Sequence, residues 1–326
     1  MTRRRELWFA ARHRAEIRQG DESPALEPGQ VRARCLASGV SQGTELLLYR
    51  GEGPTPFDPS LDAPGTPTYP RRYGYAWVGE IAESRADDVR TATRVFALAP
   101  HGDEHTFGAR DVRPLPASIP PLRATLAANL ETAVTVIWDA ELALGDSVVV
   151  VGGGVVGLLC GWLARRAGAA RVRLVEPSAR RRQAATAVGI DEAVTPDDDD
   201  QRAEEDVVIE ATGNPASLDR AISHAARDAR VVVASFYGER KSAVALGSAF
   251  HRRRIELKAS QVSHIPPHKT ARWTPARRFG LVLRLLEDER LDALVDPPVP
   301  FDDAPAAYAR LSSDPGASVH TVFSYV

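Results

Sequence analysis

Short apolar runs alternate with stretches of helical periodicity through the middle of the chain, from about residue 116 to 260. Residues 147–151 read Ser-Val-Val-Val-Val, a run typical of a parallel strand that is buried on both faces. The pattern predicts strands at 147–151, 171–175, 206–210 and 230–234, and helices at 155–167, 179–188 and 215–226. Strand–helix alternation of this kind predicts an α/β fold with a doubly wound parallel sheet.

Residues 1–115 have a different pattern, with period-two alternation and frequent proline and glycine. Residues 31–37 alternate apolar and polar side chains, as a half-buried strand does, and 75–81 and 94–98 predict further strands. The segment from Pro54 to Pro70 is rich in proline, which interrupts helices and central strands, so it predicts a loop. The region is therefore predicted to be a small, irregular β domain.

The last part of the chain, 261–326, mixes both patterns. Leucine and valine residues at 281, 282, 285 and 286 share one face of a predicted helix over 276–289. Residues 318–326 alternate like a final strand. We expect this part to complete the N-terminal β domain. The prediction is one domain of residues 1–115 and 261–326, into which 116–260 is inserted as the α/β domain.

Composition and charge exclude several classes of protein. The chain has 41 basic and 43 acidic residues and a formal net charge of -2, which argues against a nucleic-acid partner. No apolar run has the length of a membrane span or a signal peptide, so we expect no membrane partner and a cytoplasmic location. Cys35 and Cys160 are too few for a four-cysteine structural zinc site and are interpreted as buried thiols. The acidic run at 197–200 is interpreted as a solvated loop.

A glycine-rich turn lies between the strand at 147–151 and the helix that follows it. Residues 152–157 fit G-x-G-x-x-G, and this place between strand and helix is the one that dinucleotide binding requires. In that pattern Gly152 allows the tight turn, Gly154 admits a pyrophosphate close to the backbone, and Gly157 lets helix and strand pack together. Val155 and Val156 would present their N–H groups to the phosphates at the helix N-terminus.

Glu176 follows the strand at 171–175 and bears on the identity of the cofactor. A carboxylate at this place accepts hydrogen bonds from the adenosine ribose and repels a 2′-phosphate, which favours NAD(H). Arg181 belongs to an arginine triplet, 180–182, that either binds such a phosphate or faces solvent. The sequence therefore predicts NAD(H) as the preferred cofactor, with NADP(H) as the alternative.

Several motifs resemble those of the medium-chain dehydrogenase/reductase family, to which zinc alcohol dehydrogenases belong. Residues 39–45, G-V-S-Q-G-T-E, resemble its G-[IV]-C-G-[ST]-D element, and 73–79 resemble its G-H-E-x-x-G element. Ala211, Thr212 and Gly213 resemble its cofactor-side turn after the fourth strand. The resemblance covers nearly the whole chain. It is greatest to a zinc-lacking branch that includes bacteriochlorophyllide-type dehydrogenases, whose members carry a similar S-x-G-T-E element.

The resemblance implies a GroES-like β domain, a Rossmann domain, and hydride transfer with NAD(P)(H). It implies that Thr135 faces the nicotinamide and that Phe236 and Tyr237 flank the nicotinamide ring. It also implies a homodimer joined through sheet edges, at 231–233 or at a neighbouring strand.

The zinc ligands of the family are missing from these motifs. Ser41 or Gln42 stands at the cysteine position, Tyr75 at the histidine position, and Ala76 at the neighbouring glutamate position. Glu131, where such enzymes place a further ligand, is the ligand-like residue that remains. Because a catalytic zinc needs about three protein ligands, we predict that the chain binds no metal.

Without zinc, a side chain must supply the proton or hydrogen bond to the substrate oxygen. Tyr75 is either this donor or an ordinary core tyrosine, and His101 is either a second donor or part of a polar surface turn. Glu131 is either a general acid or a structural carboxylate. Ser41 and Thr44 either donate hydrogen bonds or cap the following helix.

The leading hypothesis is a zinc-independent NAD(P)(H)-dependent oxidoreductase that moves a hydride between nicotinamide and a carbonyl or alcohol. A set of aromatic residues favours a small, cyclic or secondary-metabolite substrate: Tyr69, Tyr73, Tyr75, Trp77 and Trp138. Two alternatives stay open. One is a reductase of C=C bonds in enoyl or quinone substrates, and the other is a non-catalytic NAD(P)H-binding sensor.

Overall fold

The computed structural model describes residues 4–52 and 69–325. The segment in which the proline-rich loop is predicted lies outside the described residues, apart from Tyr69 and Pro70. In chain order the strands and helices are β1 (Arg5–Ala11), β2 (Arg14–Gln19), β3 (Gln30–Gly39), α1 (Gln42–Arg50), β4 (Trp77–Ser84), β5 (Arg94–Ala97), β6 (Glu104–Gly108), β7 (Val112–Pro114), α2 (Pro121–Ala124), α3 (Ala127–Ala140), β8 (Ser147–Val151), α4 (Val155–Ala167), β9 (Arg171–Val175), α5 (Ala179–Ala187), β10 (Glu192–Val194), β11 (Glu205–Glu210), α6 (Leu218–His224), β12 (Ala225–Val233), β13 (Glu256–Ala259), α7 (Pro275–Leu285), β14 (Val299–Pro300), α8 (Ala304–Ser313) and β15 (Val322–Ser324). None of the helices in this described part combines the length and apolar character that crossing a membrane requires.

These elements fall into two compact units. Unit 1 holds the described residues up to Ala128, together with Val295–Pro315 and those from His320 onward. Unit 2 holds Asn129–Leu294 and Gly316–Val319.

The unit boundaries differ from the predicted ones at 115/116 and 260/261. The short helix α2 packs against β3 and β4, which places it in unit 1. Helix α7 belongs to unit 2, where its Arg278 forms an ion pair with Glu131 of α3. Contacts of this kind join residues far apart in the chain, so local periodicity does not reveal them.

Unit 1 is built on a seven-stranded sheet of order β14-β15-β3-β4-β5-β7, with β6 also paired to β3. The neighbours of β3 and of β5 are antiparallel. The alternation predicted along β3 is observed, since Val31, Ala33 and Cys35 are buried in the core. Trp77, which was predicted to make the substrate pocket apolar, is instead a core residue. It is completely buried, and its indole N–H donates to the carbonyl of Gly102.

Unit 2 is built on a six-stranded parallel sheet of order β10-β9-β8-β11-β12-β13, which confirms the predicted doubly wound fold. The edge strands β10 and β13 were not predicted, because they are short and their polar residues leave no apolar run. Residues 231–233 lie on β12, between β11 and β13. Of the predicted dimer contacts, therefore, only the neighbouring strand β13 is at a sheet edge.

The acidic run at 197–200 is more than the solvated loop that was expected. Asp199 is buried, with Arg173 of β9 at 3.0 Å and Arg220 of α6 at 3.1 Å. The imidazole of His224 also lies 3.1 Å from its carboxylate. The interpretation was wrong for Asp199 because its partners lie on separate elements, which sequence spacing does not bring together.

Candidate functional site

The glycine-rich turn joins β8 to α4, as predicted, and leaves one side of its backbone open. Gly152 is in the left-handed region with a φ of 105°, and a Cβ there would lie 2.7 Å from the backbone of Ala211. A Cβ on Gly157 would collide with the carbonyl oxygen of Gly152. A Cβ on Gly154, by contrast, would have no protein atom within 4 Å. The turn itself therefore requires Gly152 and Gly157, whereas Gly154 keeps an approach to the backbone free.

This arrangement fits the diphosphate of a nicotinamide dinucleotide. Val155 and Val156 open α4, so their N–H groups are among those that have no acceptor within the helix. The positive end of the helix dipole lies at the same place. A side chain at Gly154 would fill the space through which a diphosphate reaches these groups.

Glu176 follows β9 and is buried, with both of its carboxylate oxygens hydrogen-bonded. The N–H of Gly153 donates to Oε2 at 2.6 Å, and the N–H of Ser178 donates to Oε1 at 2.8 Å. Arg181 has its Nη1 at 3.9 Å from Oε2 and donates through Nε to the carbonyl of Ser318 at 2.9 Å. The carboxylate is thus held at the glycine-rich turn, with Arg181 engaged beside it.

Glu210, at the end of β11, connects the turns after β11 and β12, and the sequence analysis did not identify it. Its Oε1 accepts the N–H and the hydroxyl of Thr212, at 2.9 and 2.5 Å, and its Oε2 accepts the hydroxyl of Tyr237. The N–H of Gly213 donates to Oγ of Ser235 at 2.8 Å. Burial is the main cause that raises the pKa of Tyr237, and the bond to Glu210 adds to it. Hydrogen bonds thus connect the two turns, through Glu210 between Thr212 and Tyr237 and directly between Gly213 and Ser235.

Phe236 lies between Ser235 and Tyr237 in the chain and is 43 % exposed, so its ring is accessible to a ligand. Tyr237, in contrast, is held by Glu210. The available signal for Glu210 was a carboxylate directly after the apolar run 207–209, because a buried charge needs hydrogen-bond donors.

Arg278 of α7 connects two predicted residues on α3. Its Nε donates to Oε1 of Glu131 at 2.9 Å, and its Nη1 donates to Oγ1 of Thr135 at 2.9 Å. Nη1 also donates to the carbonyl of Val262 at 2.8 Å. Arg278 is 4 % exposed and Thr135 is completely buried. Arg278 could not be identified from sequence spacing, because 147 positions separate it from Glu131.

In unit 1, Tyr75 is hydrogen-bonded to Ser41, which is one of the two residues, with Gln42, that the resemblance aligns with a zinc-ligand position of the family. The hydroxyl of Tyr75 donates to Oγ of Ser41, and Thr44 is a second hydrogen-bond partner of Tyr75. Ser41 precedes α1 but makes no side-chain capping bond, so the capping alternative is wrong for this residue. Two hydroxyl groups therefore lie side by side at motifs that were predicted to lack zinc ligands.

A buried carboxylate, Glu45, supports this hydroxyl pair and was not among the predicted site residues. It is completely buried, and its Oε1 accepts the N–H of Ser41 at 2.9 Å. Its Oε2 lies 3.0 Å from Nε2 of His101 and accepts the hydroxyl of Tyr308. Burial is the main cause that raises the pKa of Tyr75, and the charge of Glu45 contributes to it.

His101 is buried behind this carboxylate, so the surface-turn alternative is wrong. Its Nδ1 lies 2.6 Å from Oγ of Ser38, which in turn lies 2.7 Å from the hydroxyl of Tyr325. Its ring packs edge-on against Phe323, with centroids 5.1 Å apart. Both ring nitrogens are occupied by protein groups, which favours a supporting role for His101 over direct donation to a substrate.

Comparison with known proteins finds dehydrogenases that are similar to this chain. Residues 155–278 match the family of zinc-binding dehydrogenases. D-guloside 3-dehydrogenase of Escherichia coli K12 is 26% identical to this chain over 317 residues, covering 89% of this chain and 91% of that protein. The 2-desacetyl-2-hydroxyethyl bacteriochlorophyllide A dehydrogenase of Cereibacter sphaeroides is 28% identical over 307 residues, covering 88% of each.

A solved structure gives the same picture of the fold. A protein from Sinorhizobium meliloti 1021, crystallised with NADP, superposes with a TM-score of 0.79 at 20% identity, with 100% of each chain covered. The likeness confirms the predicted GroES-like and Rossmann domains, and the relatives confirm the resemblance to dehydrogenases, including one that acts on a bacteriochlorophyllide. The chain is therefore similar over most of its length to dehydrogenases of the medium-chain dehydrogenase/reductase type, and it is an NAD(P)-dependent oxidoreductase.

Proposed function

We propose that this protein is a zinc-independent oxidoreductase that prefers NAD(H) and acts on the carbonyl or alcohol carbon of a small substrate. The observation that carries the proposal is the hydroxyl pair of Tyr75 and Ser41, connected to the buried carboxylate of Glu45. By resemblance, Tyr75 aligns with one zinc-ligand position of the family, and Ser41 or Gln42 with another. The pair therefore offers a protein-derived hydrogen bond in place of a Lewis acid.

The residues at these motifs do not suit a catalytic zinc. Tyr75 and Ser41 bind each other, Ala76 has no donor atom, and Glu131 is paired with Arg278. Within residues 4–52 and 69–325, no three His, Cys, Asp or Glu side chains come together as a metal ion would require. Because zinc in proteins takes thiolate, imidazole or carboxylate ligands, this donor set supports a metal-free mechanism.

Glu176 supports the preference for NAD(H). Its charge is held at the glycine-rich turn by two backbone N–H groups, where it would accept from ribose hydroxyls and repel a 2′-phosphate. Gly154, Val155 and Val156 would hold the diphosphate. The nicotinamide, when bound, supplies or accepts the hydride.

The hydroxyl pair has a defined direction of donation. Because Tyr75 donates to Ser41, the proton of the Ser41 hydroxyl remains available to a substrate oxygen. The raised pKa of Tyr75 keeps its phenol protonated at neutral pH. In carbonyl reduction the substrate carbon accepts the hydride of the nicotinamide, its oxygen takes the proton of the Ser41 hydroxyl, and Ser41 takes that of Tyr75. The tyrosinate left at Tyr75 is reprotonated from water. Alcohol oxidation is the reverse: Tyr75 first loses its proton to water, and the tyrosinate then accepts the substrate hydroxyl proton through Ser41.

Two of the relatives that span most of the chain are named dehydrogenases of cyclic compounds, one of a guloside and one of a hydroxyethyl bacteriochlorophyllide. These names support chemistry at an alcohol or carbonyl carbon of a cyclic molecule. They give less support to the two alternatives, a C=C reductase and a non-catalytic sensor.

Turnover and metal content together test the proposal. The purified protein is assayed with NADH and NADPH against ketones, enones and quinones, and with the oxidised cofactors against alcohols. We expect turnover on ketones or alcohols, faster with NAD(H), that persists after dialysis against a chelator. Stoichiometric zinc, or activity lost with the metal, would contradict zinc independence. Turnover on enones alone would favour the C=C reductase, and tight NADH binding without turnover the sensor.

We also propose a cytoplasmic homodimer joined through β13. This strand is an edge of the sheet of unit 2, and its Leu257 is 38 % exposed. Cys35 and Cys160 are free, buried thiols, which suits a reducing compartment. Light scattering is expected to give a dimer mass for the wild type and a monomer mass for Leu257→Pro, which blocks strand pairing.

A further inference from the structure

A chain of hydrogen bonds within unit 1 connects Tyr325, which follows β15, to Glu45 on α1. The hydroxyl of Tyr325 lies 2.7 Å from Oγ of Ser38, and this Oγ lies 2.6 Å from Nδ1 of His101. Nε2 of His101 lies 3.0 Å from Oε2 of Glu45. Ser38, His101 and Glu45 are buried. The positions of the protons along this chain therefore decide how much charge lies at Glu45.

The Glu45 end of the chain fixes one proton of His101. An ionised carboxylate only accepts hydrogen bonds, and Glu45 also accepts the N–H of Ser41 and the hydroxyl of Tyr308. Nε2 of His101 must therefore carry a proton and donate it to Oε2. The charge of His101 then depends on Nδ1. The imidazole is neutral if Nδ1 accepts from Ser38 and cationic if Nδ1 donates to Ser38.

The Tyr325 end of the chain decides this second proton. Within the described part of the chain, Tyr325 is hydrogen-bonded to Oγ of Ser38 and to the thiol of Cys35. The thiol donates to the carbonyl of Val78, and its sulfur is a weak acceptor. The phenol of Tyr325 therefore donates to Ser38, whose own proton goes to Nδ1. In this arrangement His101 is neutral.

The other ionisable groups around the chain do not neutralise Glu45. Burial raises the pKa of a thiol and of several phenols, which therefore keep their protons: Cys35, Tyr73, Tyr308 and Tyr325. Burial lowers the pKa of His320 to about 4, so this imidazole is neutral near pH 7. Asp103, whose charge reaches Tyr325, is paired with Arg5 at 3.0 Å. Among these described neighbours, His101 is thus the group whose protonation can neutralise Glu45.

We propose that Tyr325 is a positioning residue for the hydroxyl pair, because through Ser38 it keeps His101 neutral and leaves the charge of Glu45 uncompensated. This rests on the proposed function, since the role assigned to Tyr325 belongs to that reaction. An uncompensated anion opposes a tyrosinate nearby. Burial is the main cause that raises the pKa of Tyr75, and the charge of Glu45 adds to it. The hydroxyl pair is thereby held in its protonated form, which is the form that reduces a carbonyl.

Tyr325→Phe tests the proposal, because it removes the hydroxyl and keeps the ring that stacks on Phe301 with centroids 4.5 Å apart. Ser38 is then free to accept from Nδ1, so His101 takes up a second proton and neutralises Glu45. The pKa of Tyr75 falls, and alcohol oxidation needs the tyrosinate. NAD⁺-dependent oxidation of cyclohexanol, 2-hexanol and D-glucitol is followed between about pH 6 and 9. The rise of kcat should move to lower pH, with kcat near pH 7 increased about threefold or more and KM unchanged.

Two further variants distinguish this proton arrangement from a general disturbance. The double variant Ser38→Ala/Tyr325→Phe removes the acceptor for Nδ1, so His101 stays neutral and the rise should return to its wild-type pH. Tyr49→Phe is the matched control, because Tyr49 is buried and donates to the carbonyl of His13, outside the chain. The proposal is overturned by an unmoved rise in Tyr325→Phe, by a shift that persists in the double variant, or by an equal shift in Tyr49→Phe.

The protonation of His101 separates a failure of this proposal from a failure of the proposed function, because it is measured without turnover. ¹H–¹⁵N NMR near pH 7, with the His101 signals identified by their loss in His101→Gln, should show a neutral imidazole protonated at Nε2 in the wild type. Tyr325→Phe should show the imidazolium. If both are found and no alcohol is oxidised, the proton arrangement is supported although the oxidoreductase function has failed. A cationic His101 in the wild type, or one protonated at Nδ1, would overturn the proposal.

Discussion

Three carboxylates of the candidate site are buried, and each is matched by hydrogen-bond donors. Glu45 in unit 1 and Glu176 and Glu210 in unit 2 each accept at least two hydrogen bonds. A buried charge without donors costs several kcal/mol, roughly. Each carboxylate therefore fixes the groups that donate to it, and a substitution at the residue scale changes their positions as well as the charge.

Tyr75→Phe tests the hydroxyl pair. Removing the phenol oxygen leaves Ser41 without its donor, so kcat is expected to fall by about 10²–10⁴, as for the loss of a general acid. The Kd for NADH, measured by fluorescence, should stay the same. Tyr73→Phe is the matched control, because Tyr73 packs edge-on against Tyr75 with centroids 6.2 Å apart. Equal activity of the two variants would refute the role of Tyr75.

Glu176→Gln tests the basis of cofactor preference. The amide keeps the size of the side chain but loses the charge that repels a 2′-phosphate. The ratio of kcat/KM for NADH to that for NADPH is expected to fall by about tenfold or more, the effect of about 1.4 kcal/mol. Glu192→Gln, on the exposed surface of β10, should leave the ratio unchanged. An unaltered ratio in Glu176→Gln would show that another group selects the cofactor.

At the scale of secondary-structure elements, β8, the glycine-rich turn and α4 form one strand–turn–helix unit. The valines of β8 are buried on both faces, as their pattern predicts. The glycines of the turn are required for different physical reasons, and the spacing of the motif alone does not distinguish these reasons. Gly157 is required because the carbonyl oxygen of Gly152 lies where a Cβ would be, whereas the space beside Gly154 is open. Two substitutions of the same kind should therefore have different effects.

Gly154→Ala should leave the stability of the free protein nearly unchanged and weaken NADH binding by about tenfold or more, because the methyl group enters only open space. Gly157→Ala should lower the free energy of unfolding by about 1–3 kcal/mol, as overpacking does, because its methyl group meets the carbonyl of Gly152. Urea unfolding and NADH fluorescence titration measure both quantities. A similar loss of stability in both variants would contradict this division.

At the scale of the whole molecule, several ionisable groups are buried and coupled to folding. Burial lowers the pKa of His105 and of His224 and lowers that of His320 to about 4. Asp199, beside His224, is surrounded by Arg173 and Arg220. These histidines are therefore neutral in the folded protein near neutral pH and take up protons more readily when the chain unfolds.

His320→Gln tests the pH dependence of stability. A histidine whose pKa falls from 6.5 to about 4 on folding contributes stability above pH 6.5, and that stability is lost as the pH falls towards 4. The loss amounts to about 3 kcal/mol. Urea unfolding between pH 4 and 7 should show a shallower decline for the variant than for the wild type. His251→Gln, at an exposed position, should keep the wild-type slope. A wild-type slope in His320→Gln would exclude this residue as a cause.

Hydrogen bonds between residues far apart in the chain could not be predicted from the sequence. The four central strands of the parallel sheet, the glycine-rich turn and the position of Glu176 follow from period and spacing, which act within about a dozen residues. Tyr308 reaches Glu45 from a position 263 residues away, and Arg278 reaches Glu131 from 147 residues away. No local pattern relates such positions, so the partners of both carboxylates were missed.

The sequence by itself determined the α/β class and the nucleotide-binding turn, because these depend on residue type and local order along the chain. The tertiary structure alone decided that His101 is buried against Glu45, that Ser41 accepts a hydrogen bond from Tyr75, and that Glu131 is paired with Arg278. Burial and pairing determine whether a polar side chain is free to act, and both arise only when distant segments of the chain pack together.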